Sequence, residues 1–162
     1  MALSLVLHPK FLTVGKQFLL TKITSLAVAD LLAELIRPSG KTQEVKIKWP
    51  NDIYVGDKKI AGILIENTLR ENNIQNTVIG IGINCNQMKF SAGINATSLA
   101  LLNNEEIDLM LVIEQLCEFI EARYLQLKSN KRQHIDTAYL QHLYQLNEWH
   151  NYTSENQFFE GK

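Results

Sequence analysis

The chain has 162 residues, 46% of them hydrophobic, and a formal net charge of −1. This length is sufficient for one globular domain with a sizeable core. The near-zero net charge excludes a broad basic field for nucleic-acid binding, and no apolar run reaches the length of a membrane span. The two cysteines, Cys85 and Cys117, lack metal-ligand spacing and favour a reduced, cytoplasmic protein, with Cys117 expected in the core.

The chain begins with a predicted strand and a long predicted helix. Residues 3–7 form a short apolar strand, which His8-Pro9 ends. From about residue 16 to 36 the apolar residues recur at helical spacing, and Pro38-Ser39-Gly40 is expected to stop this helix. We expect the helix to pack in the core and the polar residues 41–44 to connect it to the next strand.

Residues 45–67 carry the most informative local pattern. Val45, Ile47 and Trp49 alternate with polar residues. This alternation predicts a strand over 45–49 with one buried face, and it makes Trp49 an expected core anchor.

Two turn signals follow this strand. Pro50 cannot donate a ladder hydrogen bond and ends the strand, while Asn51-Asp52 and Gly56-Asp57 suit turns. A hairpin with strands over 53–55 and 58–66 is predicted. The turns bring together four polar side chains: Lys48, Asn51, Asp52 and Lys59. Most such stretches are surface hairpins with solvated charges, so the local pattern alone assigns no function.

The next segments are a polar stretch and a glycine-interrupted strand. Residues 68–76 are expected to form an exposed connector, and residues 77–84 a buried strand that contains Gly80 and Gly82. Glycine inside a strand marks either the approach of a ligand or tight packing of a helix, and the residues leave both readings open. A dinucleotide-binding fold is a poor rival, because the third glycine is missing and no helix follows at once.

The C-terminal half is predicted to be mainly helical. Thr97-Ser98 is a turn or cap candidate. Helices are predicted over 107–128, with Asp108 or Asn104 as the cap, and over 134–146. The longer helix is expected to pack against the sheet.

Three stretches together resemble one protein family. Lys48-Trp49-Pro50-Asn51-Asp52, followed by Lys59-Ile60-Ala61-Gly62-Ile63-Leu64-Ile65-Glu66, resembles the signature of biotin protein ligases, which attach biotin to carboxylase carrier domains. Gly80-Ile81-Gly82-Ile83-Asn84 and Ala96-Thr97-Ser98-Leu99 resemble two later segments of that family, in order and in spacing. This match is longer and more specific than an isolated glycine motif.

The resemblance implies an α+β fold in which helices pack on a mixed β-sheet, as in the class II synthetase-like catalytic domain of biotin and lipoate ligases. We expect this domain over residues 1–147. Residues 148–162 are expected to start an incomplete C-terminal β domain and to hold at most its first strand. The family's glycine- and arginine-rich loop over the biotin and adenylate has no counterpart here, so we expect an N-terminally truncated catalytic domain.

The implied function is ATP-dependent attachment of biotin to a lysine of a carrier protein, through a biotinyl-adenylate. The resemblance implies ATP, biotin and Mg²⁺ as ligands, and the biotin carboxyl carrier domain of a carboxylase as partner. Neither nucleic acid nor membrane is an expected partner, and a homodimer is left open. Two alternatives remain: an inactive, ligand- or partner-binding fragment with the ligase fold, and a lipoate or octanoate transferase of related fold.

The resemblance also implies a polar set of site residues. Lys48 is the expected catalytic residue, which contacts the reacting carboxyl and phosphate oxygens. Lys59 is the second cation. Asn51 is expected to bond the adenylate, and Asp52 is expected to hold Mg²⁺ or to orient Lys48.

The remaining implied site residues surround the biotin and the nucleotide. Gly62 is expected to let backbone approach the biotin. Ile53 and Ile63 are expected to contact the biotin ring. Asn84 is a candidate for the nucleotide side.

Overall fold

The computed structural model describes residues 1–36, 44–154 and 157–162. The main sheet has five strands: β1 (Ala2–Leu7), β2 (Val45–Lys48), β3 (Asp52–Val55), β4 (Lys58–Arg70) and β5 (Asn73–Ile83). Their order is β1-β5-β4-β3-β2, and each neighbouring pair is antiparallel. Two isolated parallel bridges, Ile47–Leu143 and Lys59–Ala96, join β2 and β4 to residues outside the sheet.

Among the described residues, four α-helices accompany the sheet: α1 (Phe18–Leu35), α2 (Leu99–Asn103), α3 (Leu109–Lys128) and α4 (Arg132–His142). The expected α+β class is confirmed, and the three longer helices lie close to their predicted positions. The short helix α2 was not predicted, and α4 ends at His142 rather than at residue 146. The predictions for residues 38–43 fall outside the described residues. Within the described ranges, none of the helices has both the length and the apolar character that a membrane span requires.

Helix α1 forms the middle layer of the fold. Its buried residues lie on most of its circumference and include the small polar side chains Thr24 and Ser25. One side of α1 packs on β2, β3 and β4, and the other side packs on α3 and α4. A helix that is apolar nearly all round is expected in such a central position.

Two ion pairs attach the outer helices to α1. Arg123 of α3 donates from Nε and Nη2 to the two carboxylate oxygens of Asp30, at 2.7 and 2.9 Å. The Lys22 ammonium donates to Asp136 of α4 at 2.7 Å. Such bidentate arginine–carboxylate geometry fixes the angle between helices as well as their contact.

The two faces of the sheet have opposite characters. Side chains on one face point into the core against α1 and are buried, among them Ile47, Ile53 and Ile81. Alternate residues point to the other face, where Val6 and Leu64 are 60% and 63% exposed. This period of two is the usual alternation of a strand, and it leaves one sheet face open.

Two expected core residues are exposed. Trp49 is 67% exposed because β2 ends at Lys48, so Trp49 lies in the turn beyond the last paired residue. Cys117 is exposed because α3 is an outer helix that buries only a narrow stripe, whereas Cys85 is the buried cysteine. Both cysteines are free.

The prediction of a connector over residues 68–76 was wrong, although residues 68–73 are exposed as expected. Strands β4 and β5 continue through this polar stretch as one long hairpin with a turn at Glu71-Asn72. The amide of Ile74 donates to the carbonyl of Leu12, and both side chains are fully buried. Backbone hydrogen bonds on two sides and the buried Ile74 side chain therefore hold the stretch 68–76, whose other side chains are mostly polar.

The predicted caps are found in part, and the chain ends in a second hairpin. The Asp108 carboxylate caps α3 by accepting from the amide of Met110. Ser98 caps the unpredicted α2. Strands β6 (His150–Ser154) and β7 (Gln157–Gly161) pair with each other, so the C-terminal segment holds two strands rather than one.

The continuous β4–β5 hairpin generates a stability prediction. We expect Ile74→Ala to lower the free energy of unfolding by about 2–5 kcal/mol, because it empties a fully buried site. The control is Leu69→Ala on the opposite strand. Leu69 is the register partner of Ile74 but is 48% exposed, so we expect a loss below about 1 kcal/mol. Urea unfolding followed by circular dichroism measures both, and equal losses would contradict the structure.

Candidate active site

One row of residues crosses all five strands on the open face of the sheet. The registers pair Ala2 with Gly82, Gly82 with Gly62, Gly62 with Asp52, and Asp52 with Lys48. Residues directly opposite one another in antiparallel strands share a face, so these five lie side by side. The row is flat in the middle, where two glycines meet, and it is charged at the β2 end.

The glycines form the floor of an open groove of about 340 Å³. Gly82 is exposed, and Gly80 lies one step further along the same strand on the same face. Of the two readings left open by the sequence, helix packing on these glycines is therefore wrong, because both of them line the open groove. A side chain added at Gly62 would come within 3.6 Å of Lys59 and Asp52, so the glycine keeps the space beside this pair open.

The charged end of the groove contains a lysine–aspartate pair. The Lys59 ammonium lies 2.6 Å from Oδ1 of Asp52, and both side chains retain access to solvent, at 43% and 25% exposure. Both residues line the groove, together with Asn51, Gly62 and Ile63. A carboxylate and an ammonium that face the same open space can each bind a ligand of opposite charge.

Asn51 fastens the turn between β2 and β3 to strand β4. Its side-chain amide donates to the carbonyl of Ile63 at 3.0 Å, and its own carbonyl accepts from the Ile63 amide at 2.9 Å. These two hydrogen bonds to one residue fix the turn that follows Lys48. The predicted proximity of Lys48, Asn51, Asp52 and Lys59 around two turns is thus found in the structure.

Lys48 extends towards two tyrosines that the sequence prediction missed. Its ammonium lies 4.9 Å from the ring centroid of Tyr54 and 5.8 Å from that of Tyr144. Both distances are within the range of cation–π attraction. Tyr54 is two residues from Asp52 on the same strand and face, which strand alternation could have revealed. Tyr144 belongs to the segment after α4, and no local signal connects it to β2.

Tyr144 is itself fixed by a hydrogen bond to the second turn. Its hydroxyl donates to Oδ1 of Asp57 at 2.7 Å. This bond to a carboxylate, with a smaller contribution from burial, raises the pKa of Tyr144 to about 12. The hydroxyl therefore stays protonated and able to donate throughout the neutral and mildly alkaline range.

Three of the expected site residues lie away from the open groove or face it only in part. The Ile53 side chain is fully buried in the core, and the Ile63 side chain is 3% exposed, so Ile63 borders the groove mainly through backbone. Asn84 donates its amide to the carbonyl of Thr97 at 3.0 Å, which attaches the end of β5 to the segment before α2. The ligand contacts expected of these three residues remain predictions.

The described side chains of the groove do not form a complete metal site by themselves. Within residues 1–36, 44–154 and 157–162, no three His, Cys, Asp or Glu side chains are grouped as a metal site. Asp52 contributes one carboxylate to the groove. A single carboxylate fits Mg²⁺ only where phosphate oxygens and water supply the other ligands, which is the usual arrangement at nucleotide sites.

Comparison with known proteins relates the chain to several curated proteins. The Bifunctional ligase/repressor BirA of Bacillus subtilis (strain 168) is 36% identical over 126 residues, which are 75% of this chain and 37% of that protein. The Biotin--[acetyl-CoA-carboxylase] ligase of Mycobacterium tuberculosis is 34% identical over 107 residues, which are 66% of this chain and 38% of that protein. The chain thus spans less than half the length of these relatives.

A solved structure and a family model agree with these relatives. Biotin protein ligase from Aquifex aeolicus in complex with biotin and ATP matches with a TM-score of 0.78 and 25% identity, over 99% of this chain and 65% of that chain. The model of the biotin/lipoate A/B protein ligase family matches residues 1–84, which contain the whole five-stranded sheet and its groove. The chain therefore belongs to the biotin/lipoate A/B protein ligase family.

Proposed function

We propose that this chain is the part of a biotin–protein ligase that holds biotin and ATP and joins them as a biotinyl-adenylate. The observation that carries the proposal is the row from Ala2 to Lys48, where a floor of glycines ends at a lysine–aspartate pair and a second lysine follows on the next strand. A flat, small-residue floor suits a ring lying on backbone, and the cations suit the acidic groups that such a ligand must bring together.

The first step requires two anionic groups to meet. A carboxylate oxygen of biotin attacks the α-phosphorus of ATP, and the bond from that phosphorus to pyrophosphate breaks. Negative charge accumulates on the phosphate oxygens during this exchange. Lys48 and Lys59 flank Asp52 on the open face and are placed to stabilise that charge as it develops.

The second step transfers biotin to protein. The neutral amine of an acceptor lysine attacks the carbonyl carbon of the mixed anhydride, AMP leaves with the anhydride oxygen, and the new amide nitrogen loses a proton. We propose the biotin carboxyl carrier domain of a carboxylase as the acceptor. With a formal net charge of −1, the chain carries no net positive charge that would favour nucleic acid as a partner.

The polar residues of the two turns have separate proposed roles. Asn51, fixed to Ile63, is placed to bond the adenylate beside Lys48. Asp52 is placed to hold Mg²⁺ on the nucleotide phosphates and to orient Lys59. Bound Mg²⁺ would neutralise charge on the triphosphate. The positions of Lys48 and Lys59 are set by the strands and by Asp52 of this chain.

The proposal extends to the organisation of the chain. We propose a catalytic domain over residues 1–147 and the beginning of a C-terminal β domain over 148–162, which the separate hairpin of β6 and β7 supports. Two free cysteines support a reducing, cytoplasmic setting. Biotin binding without adenylate formation would favour the inactive-fragment alternative, and preference for lipoate would favour the transferase.

The catalytic lysine generates the first functional prediction. We expect Lys48→Ala to lower biotin-dependent exchange of labelled pyrophosphate into ATP by at least about 100-fold, because a charge-stabilising group is lost. The exposed position of Lys48 means that the free energy of unfolding should change by less than about 0.5 kcal/mol. The matched control is Lys46→Ala, two residues earlier on the same strand face, where the lysine pairs with Glu44 at 2.9 Å. Exchange equal in the two variants would remove Lys48 from the mechanism.

The glycine floor generates a binding prediction. We expect Gly82→Val to fold normally, because the nearest atom to an added Cβ is 3.9 Å away and valine suits a strand. The new side chain would stand in the groove and weaken biotin binding at least about tenfold, as measured by equilibrium dialysis with labelled biotin. Gly15→Ala, where an added Cβ meets nothing within 4 Å, serves as control. Undiminished binding by Gly82→Val would place the ligand elsewhere.

A further inference from the structure

We infer that Tyr144 and Tyr54 form an aromatic clamp that positions Lys48 for the reaction, with Tyr144 as a positioning residue supplied by the segment after α4. This inference rests on the proposed function. The two rings lie 5.3 Å apart between centroids, and the Lys48 ammonium lies within 6 Å of both. Tyr144 is outside the residues 1–84 that match the family model.

The clamp holds Lys48 in place without a carboxylate partner among the residues that the structure describes. Lys48 is paired in register with Asp52, yet the Asp52 carboxylate is engaged by Lys59 at 2.6 Å. Lys48 instead lies against the two tyrosines, with its ammonium 3.5 Å from the Tyr54 hydroxyl and within 6 Å of both ring centroids. An aromatic face attracts a cation through its quadrupole and carries no net charge, so it holds the ammonium without neutralising it. The charge of Lys48 thus remains available to an anionic ligand.

The position of Tyr144 is determined at both ends of the residue. Its backbone amide donates to the carbonyl of Ile47 at 2.9 Å, next to the bridge between Leu143 and Ile47. Its hydroxyl donates to Asp57 at 2.7 Å. The ring between these two anchors has little freedom to leave Lys48.

Asp57 is in turn held by a third segment. The carbonyl of Asp57 accepts from the side-chain amide of Asn95 at 2.8 Å, and the turn depends on Gly56, whose φ is +56°. Positive φ is the conformation that glycine adopts without strain. Three segments far apart in the chain, around Asp57, Asn95 and Tyr144, are therefore joined by hydrogen bonds beside Lys48.

The first test is a spectroscopic one that needs no turnover. In a chain labelled with ¹³C-lysine, the ε-methylene protons of Lys48, assigned by their loss in Lys48→Arg, should resonate upfield of the other exposed lysines because of the two rings. Tyr144→Leu should move them back towards the ordinary position, whereas Tyr144→Phe, which keeps the ring, should move them little. An ordinary Lys48 shift in the unmodified folded chain would overturn the clamp.

A control substitution tests whether loss of any aromatic pair would move the Lys48 resonance. Tyr124 of α3 packs edge-to-face on Phe11 at 5.8 Å, away from the groove. Tyr124→Leu should leave the Lys48 resonance unchanged. An equal movement of that resonance in both leucine variants would mean that the effect is structural and would overturn the clamp.

The second test measures positioning by kinetics. Tyr144→Leu should lower kcat for pyrophosphate exchange about 10- to 100-fold with little change in KM for biotin, since misplacement of a catalytic group has effects of this size. In the Lys48→Ala background the same substitution should add no further loss. An independent, additive loss would overturn the clamp. Absence of exchange in the unmodified chain would contradict the proposed function instead, and the Lys48 resonance would still decide whether the clamp exists.

Discussion

The register of five antiparallel strands is the constraint on which the rest of the structure depends. Side chains alternate between faces with a period of two, so a slip of one residue would move every side chain of a strand to the opposite face. The observed register places Ile53 and Ile81 in the core and gathers Gly62, Gly82 and Asp52 on the open side. Core and groove are thus two consequences of one pairing.

The buried face of the sheet stabilises the strands that form the groove. Glycine weakens a strand, because ordering its flexible backbone costs conformational entropy and it has no side chain to bury. Here the residues next to the glycines along each strand, such as Ile63 and Ile81, are buried in the core and stabilise the same strands through their other face. The ligand face can therefore carry small residues and charged groups while the opposite face holds the sheet together. A preorganised surface of this kind keeps lysines in place before the ligand arrives.

The sequence predicted the part of the site that is local, and it missed the part that is distant. Alternation around Ile47 and two turn signals were enough to place Lys48 beside Asp52 and near Lys59. Periodicity could not show that β2 ends before Trp49. Tyr144 reaches Asp57 across 87 residues of chain, and only the packing of α4 on α1 and β2 brings the two together. Tertiary contacts of this kind leave no trace in a local pattern.

The central claim is that biotin and nucleotide lie on the open face of the sheet, along the row from Ala2 to Lys48. The most direct measurement is amide chemical-shift mapping of the ¹⁵N-labelled chain during titration with biotin and then with Mg-ATP. We expect the largest changes at Ala2, Gly62 and Gly82, extending with nucleotide to Asn51 and Asp52, and small changes at Met88 and Asn104 beside a separate cavity. Largest changes at that cavity, or no saturable change in the folded chain, would contradict the account.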